Sequence, residues 1–256
     1  MKKTMYKLVA LGSLMLSANV FAQCDDTNFN AWTDAREDQA GSLEATAPGM
    51  AGTACKMSVQ ALVDRDQRAR VQDQSPQCES SYRSRFMINA DNMGQLATNE
   101  RNKVYNAQCR SGLAGHDPGV TCSNTGVVQL KLQGNDTEDA NIFRSFVIDE
   151  GPATAADNRR KFDVVVNSGD QAFEMQYIRA SAPGAADGVF RLWANGNTNE
   201  ASPDIEFTDL QNYNTCIDAA NLGSVGPNNN FVSGTAGAVL NFDEFESRRQ
   251  TGIGVN

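Results

Sequence analysis

The chain is poor in the side chains from which most enzyme sites are built. It has one histidine, His116, two tryptophans, Trp32 and Trp193, and only 7% aromatic residues in 256. A single histidine excludes a multi-histidine metal centre, and its place after Gly115 in a loop-like stretch makes it a poor proton shuttle. Cysteine is present six times, but no two lie two to four residues apart, which excludes the usual zinc spacings. Basic residues are in the minority, 22 Lys and Arg against 31 Asp and Glu, for a net charge of −9. Such a balance disfavours nucleic acid and anionic lipid as partners, and acidic polymers too unless a local basic patch or bridging cations intervene. No apolar run reaches the roughly 20 residues of a membrane-spanning helix.

What is there begins with "MKKTMYKLVALGSLMLSANVFAQC". Lys2, Lys3 and Lys7, an apolar run from Leu8 to Leu16, and small residues at Val20 and Ala22 follow the order of a secretory signal peptide. Residues 1–22 are therefore expected to be removed, leaving one domain over residues 23–256 with a charge near −12. Gln23 stands where a lipoprotein signal requires a small residue, which argues against a lipid anchor on Cys24. An exported bacterial protein, periplasmic or extracellular, is the expectation. In that compartment Cys24, Cys55, Cys78, Cys109, Cys122 and Cys216 read as up to three disulfides with fifteen connectivities open. Cys109–Cys122 is the favoured pair, because it would close the loop "RSGLAGHDPGVT" between two strand-like runs.

Period-two alternation recurs along the chain. "YRSRFMINA" sets Tyr82, Ser84, Phe86 and Ile88 against Arg83, Arg85, Met87 and Asn89, a strand with one wet face, and "VVQLKLQ" sets Val128, Leu130 and Leu132 against Gln129, Lys131 and Gln133. "KFDVVVNS", "AFEMQYIRA" and "GVFRLWANG" follow, separated by Gly169-Asp170 and by "SAPGAADG". Many short strands with turn chemistry between them predict an all-β sandwich or barrel without a convincing helix. "NGNTNEASPD" and "GSVGPNNNFVSGTAG" read as loops.

Three stretches carry a resemblance. "FEMQYIRASAPGAADGVFRLWANG" (Phe173–Gly196) resembles the paired strands, joined by an Ala-Pro-Gly-Ala turn, of exported bacterial proteins with a concanavalin A-like, laminin-G-like sandwich. "LNFDEFESRRQTGIG" is similar to their final strand, with Phe242, Asp243, Glu244 and Phe245 in its signature positions, and "ARVQDQSPQCESSYRSRFMI" resembles their early strands. The resemblance implies two antiparallel sheets in a jelly roll, a fold in which many relatives bind carbohydrate and others cleave it. It assigns no activity, since fold alone does not give function.

Glu244 and Glu246 lie two apart on a strand, about 6.6 Å along it, and side-chain tilt could bring them to the roughly 5 to 5.5 Å of a retaining glycosidase pair. The pattern argues otherwise. The laminarinase-like glucanases of this fold carry Glu-x-Asp-x-x-Glu, whereas reading from Glu244 places Glu246 at the Asp position and Arg249 at the second Glu. The alginate lyases of this fold carry Gln-Ile-His and Tyr-x-Lys strands, and neither occurs. A structural reading accounts for more. Leu240 and Phe242 share a face but Phe245 falls on the other, so a β-bulge is expected near Asp243. Asp243 would then be a structural carboxylate accepting hydrogen bonds, and Phe245 a core residue.

A binding module needs a platform instead, and Tyr177, Arg179 and Trp193 are the carbohydrate-binding candidates on neighbouring strands. "GNDTED" gathers Asp136, Glu138 and Asp139 in one loop, a set of oxygen donors that suits Ca²⁺, but it lacks the EF-hand spacing, so no metal or other cofactor is assigned. The leading expectation is a noncatalytic exported sandwich that binds a glycan or another surface polymer. A polysaccharide-cleaving hydrolase or lyase of the same fold is the alternative, and a structural or matrix protein making protein contacts is the third. The sequence does not set the oligomeric state.

Overall fold

A computed structural model describes residue 24, residues 26–120, residue 122, residues 125–135, residue 137, residues 139–152, residues 156–248 and residue 253. The expected signal segment, Asp136 and Glu138 of the acidic loop, and Arg249 lie outside the described residues. Two antiparallel sheets of seven strands each face one another. The first, sheet A, runs β1 (Asp34–Glu37), β4 (Ala69–Asp73), β13 (Ala219–Pro227), β6 (Arg101–Cys109), β7 (Thr125–Asn135), β8 (Ala140–Ile148), β9 (Arg159–Val166). The second, sheet B, runs β12 (Ile205–Leu210), β11 (Gly188–Trp193), β10 (Gln171–Ile178), β5 (Ser81–Asn89), β14 (Val239–Arg248), β3 (Lys56–Gln60), β2 (Leu43–Thr46).

The alternation seen in the sequence builds the space between the sheets. Phe86 stacks on Tyr105 across the sandwich at 5.6 Å and neighbours Phe173 at 6.1 Å, and Phe143 meets Phe173 edge-on at 4.8 Å. All four rings are buried, each contributing on the order of 2 kcal/mol by removal of its apolar surface from water. The Tyr105 hydroxyl shares a 2.7 Å hydrogen bond with Ser84, so its polar end is satisfied inside the core.

Two elements differ from the sequence expectation. The outer face of β5 is not wet: Arg83 and Arg85 are buried, because Glu174, Glu200 and Glu244 pair with them. The stretch read as one loop, "GSVGPNNNFVSGTAG", instead extends β13 to Pro227 and then forms the short helix α1 (Asn229–Gly234). Asn228 caps that helix by accepting from the Phe231 N–H at 2.9 Å, and burial of Phe231 holds the turn against the core.

Three disulfides tie the sandwich: Cys24–Cys55, Cys78–Cys216 and Cys109–Cys122. The last closes the loop between β6 and β7, and Cys78–Cys216 links the segments that lead into β5 and β13, one strand of each sheet.

Candidate functional site

The residues singled out as a glycan platform do not assemble into one. Tyr177 points between the sheets and is buried, its hydroxyl bonded to Thr215 Oγ1 at 2.8 Å and to the Thr215 carbonyl at 3.0 Å. That burial pushes the phenol well above its usual range. Trp193 lies on the opposite face, because it pairs with Glu174 rather than with Met175 or Tyr177. There it is covered by the Arg83 guanidinium at 4.5 Å, and its indole N–H donates to the Asn199 carbonyl at 2.9 Å. Arg179, just past β10, stacks on Tyr213 at 4.2 Å and donates to the Tyr213 carbonyl. The correction is one of register: two aromatic positions on paired strands share a face only if the pairing aligns them, and here it does not.

The Glu244 and Glu246 carboxylates are also tied into the sheet's own structure. β14 pairs regularly with β5 through Asp243↔Met87, then resumes at Glu246↔Arg85, with Glu244 at φ 48°. This bulge turns Phe245 inward, where it meets Trp32 at 4.8 Å. Asp243 accepts from the Met50 N–H at 2.7 Å, from the Thr53 hydroxyl, and from the Glu244 N–H at 2.8 Å. Glu244 pairs with Arg85 at 2.9 Å and Glu246 with Arg248 at 2.6 Å, so each carboxylate is committed to a different arginine. His116 is held between Asp218 and the Val120 carbonyl within the loop closed by Cys109–Cys122.

The outer face of sheet A is different. Register places four carboxamides in one row across four adjacent strands: Gln72 on β4, Asn221 on β13, Asn106 on β6 and Gln129 on β7. Gln72, Asn106 and Asn221 are each 2% exposed, although they lie on the outer side of the sheet. Asn221 donates to Gln108 Oε1 at 3.1 Å and Gln74 donates to Gln72 Oε1 at 2.8 Å, which fixes the orientation of the row. Gly126 leaves room for it, since a Cβ there would fall 2.0 Å from Gln129 Nε2 and 2.6 Å from Asn106 Oδ1.

A groove of about 280 Å³ over Gln72, Asn221 and Asn106 of this row is bordered by Arg36, Arg68, Arg70, Lys103 and Arg110. The acids that pair with these cations stand at the rim, Asp38 with Arg36 at 2.8 Å and Asp34 with Arg70 at 3.3 Å. Along the face the cations continue. Lys131 and Arg159 lie over the Phe146 ring at 5.1 and 4.3 Å. Burial, then Lys131, Arg68 and Arg159, depress Lys103 below its usual value, and burial likewise depresses Arg70. A chain of net charge −9 thus concentrates positive charge on one sheet face, over a floor of oriented amides. Arrangements of this sort hold carboxylates: guanidinium groups pair with the charge and amides bond the neighbouring hydroxyls.

A second cavity, of about 590 Å³, opens at the edge of the sandwich beside the β14 bulge, with Phe29, Trp32 and Phe245 among its walls. These three aromatic rings are half-buried.

No protein-family model matches the chain, and no curated protein does. Among solved structures the chain is similar to the alginate lyase Aly36B, with a TM-score of 0.55 at 11% identity over 87% of this chain and 88% of that one. It is similar also to a marine PL-14 alginate lyase from Aplysia kurodai (TM-score 0.54, 10% identity, 82% and 87% covered) and to alginate lyase vAL-1 from a Chlorella virus (0.52, 10%, 90% and 99%). At such identities the likeness establishes the fold alone, an antiparallel jelly-roll sandwich. No helix among the described residues is long and apolar enough to cross a membrane.

Proposed function

We propose that this is an exported protein that binds a carboxylated, uronate-type polysaccharide across the outer face of sheet A. The single observation that carries the reading is the row Gln72–Asn221–Asn106–Gln129 flanked by Arg36, Arg68, Arg70, Lys103 and Arg110. A row of this kind crosses the strands, and strands are spaced by about 4.8 Å, so successive amides meet successive groups of an extended sugar chain. The local basic patch answers the charge objection that the composition raises. Support also comes from the fold, because the solved relatives include an Aly36B variant in complex with an alginate tetrasaccharide and a family 7 alginate lyase in complex with substrate. The disulfides fit an oxidising compartment.

The test is retention on immobilised polymannuronate, polyguluronate, polygalacturonate and a neutral β-glucan at increasing salt. Retention on at least one polyuronate, falling steeply with salt and lost in Arg70→Ala, is expected. Equal retention on the neutral glucan, or retention indifferent to salt, would refute the reading.

A further inference from the structure

Two of the three disulfides touch. Cys109 Sγ lies 3.6 Å from Cys216 Sγ, although each is bonded to a different partner, Cys122 and Cys78. The inner sulfurs belong to fully shielded residues, Cys109 and Cys216 at 0% exposure, whereas the outer partners are less shielded, Cys122 at 9% and Cys78 partly buried. The four sulfurs thus run in series from one less shielded end to the other: Cys122, Cys109, Cys216, Cys78. Only the middle link is a contact rather than a bond.

Hydrogen bonds hold this series together independently of the sulfurs. The Asp218 carboxylate accepts from the Cys78 N–H at 2.9 Å and from the Arg110 N–H at 2.7 Å, and the Asp218 N–H donates to the Gln108 carbonyl at 2.8 Å. Asp218 therefore ties its own segment, which carries Cys216, to the end of β6 at Cys109 and to the segment of Cys78. Glu79 and Ile217 exchange two further backbone bonds, at 2.9 and 3.1 Å. Opening one disulfide removes none of these bonds, so the inner sulfurs stay neighbours. His116 comes within 4.8 Å of all four sulfurs through a ring nitrogen. Its ring nitrogens face Asp218 and the Val120 carbonyl, so the protonated ring donates to both and sets a cation beside the sulfurs, which favours the thiolate.

We propose that these four cysteines form a disulfide-exchange relay, a site that takes electrons from a dithiol at either outer sulfur and leaves both outer sulfurs reduced. A thiolate of the dithiol attacks Cys122 Sγ, and the Cys109–Cys122 bond breaks with its electron pair on Cys109. The second thiolate attacks the dithiol sulfur of that mixed disulfide, which closes the dithiol's own disulfide and frees the Cys122 thiolate. The Cys109 thiolate then attacks Cys216 Sγ. The Cys109–Cys216 bond forms, and the Cys78–Cys216 bond breaks with its electron pair on Cys78. The dithiol loses two electrons, the protein gains two, and the exchange step is redox-neutral; the dithiol's two protons pass to the outer thiolates or to solvent. Entry at Cys78 runs through the Cys216 thiolate to the same product, a buried Cys109–Cys216 bridge with Cys78 and Cys122 free. That product loses the link between the segments leading into β5 and β13, one strand of each sheet, and keeps only a link within sheet A. The loop between β6 and β7 is opened in the same event.

The experiment treats the folded mature protein with less than one equivalent of dithiothreitol, blocks free thiols with N-ethylmaleimide at mildly acid pH, and maps the bridges by mass spectrometry after peptic digestion. Near-ultraviolet circular dichroism confirms that the treated protein is folded. Among molecules that keep Cys24–Cys55 and carry two blocked thiols, most should have them on Cys78 and Cys122, with a Cys109–Cys216 peptide pair that the untreated protein lacks. Cys122→Ser supplies the Cys109 thiol without any reductant, and its free thiol should be found on Cys78. Cys78→Ser makes the same test from the other end, with the free thiol expected on Cys122, so the relay stays testable if one variant does not fold. Blocked thiols on the two partners of one native bridge, with the other native bridge intact, would overturn the relay. So would a Cys122→Ser protein that keeps Cys78–Cys216 and a free Cys109, or resistance of both bridges to the dithiol until urea unfolds the chain.

Discussion

Replacing Asp243 with alanine tests whether the bulge in the closing strand is held by its carboxylate. The side chain accepts from three donors on two segments: the Met50 N–H at 2.7 Å, the Thr53 hydroxyl, and the Glu244 N–H at 2.8 Å. Two of these belong to a loop nearly two hundred residues earlier in the chain, so they bind β14 to the segment between β2 and β3. Hydrogen bonds to a charged acceptor contribute about 1.5 to 3 kcal/mol each, and bonds sharing one carboxylate are not additive. A loss of about 3 kcal/mol is therefore expected for Asp243→Ala. Asp243→Asn keeps one oxygen but turns an NH₂ toward a donor, and should lose about 2 kcal/mol. Urea unfolding with the disulfides intact, followed by tryptophan fluorescence, measures both. The midpoint should fall with little change in slope, since the surface exposed on unfolding is nearly the same. A change below about 0.5 kcal/mol for Asp243→Ala would refute the argument, because it would put the carboxylate with ordinary surface groups. Glycan retention should be unaffected in the folded variant, which separates this site from the face of sheet A.

Three further outcomes follow from the geometry. Gly126→Ala should weaken polyuronate retention, measured by affinity electrophoresis, because the added Cβ would displace Gln129 Nε2 or Asn106 Oδ1 from the floor. Lys103→Met should flatten the dependence of stability on pH in the alkaline range. The folded pKa of Lys103 lies below its unfolded value of 10.5, so the unfolded chain holds the proton more tightly and wild-type stability rises as pH climbs from the folded value toward 10.5. Urea midpoints for both proteins across that window check the sign. Cys109→Ser with Cys122→Ser should lower stability by roughly 3 kcal/mol in the chain-entropy model, read by the same unfolding assay.

Much of the fold is legible in the alternation of single strands. "YRSRFMINA" places Tyr82, Phe86 and Ile88 on one face, and all three are core, whereas "AFEMQYIRA" is readable as a strand but its Tyr177, read as a binding residue, is core beside Phe173 and Met175. The bulge at Asp243 is legible too, because an inward phenylalanine on the wrong parity demands an extra residue. The site is less so. Several of its pieces are visible as the polar side of a strand, Arg70 and Gln72 in "ARVQD", Asn106 and Gln108 in "YNAQ", Gln129 and Lys131 in "VVQLKLQ", whereas Lys103 has the opposite parity to Asn106 and reaches the same face only through the register shift between Lys103 and Tyr105. What no window contains is the order of the strands. Gln72 and Asn221 become neighbours over about 150 residues because β13 inserts between β4 and β6.

The same limit explains why Tyr177 and Trp193 looked like one platform. Both lie in a hairpin whose existence is readable, but sharing a face depends on which residues pair across it, and a slip of one position exchanges the two faces of a strand. The sequence by itself therefore determined the all-β class, most of the strands and the inward face of strands such as β5 and β7, since side-chain parity is a local property of the chain. Composition is additive, so the sequence also set the net negative charge. Tertiary structure alone decided where the minority of cations gathers, because strand order and register bring together side chains that the sequence holds far apart. It also decided that Arg83 and Arg85, on the outer side of β5, end buried against Glu174, Glu200 and Glu244, whereas Lys103 and Lys131 face each other across β6 and β7.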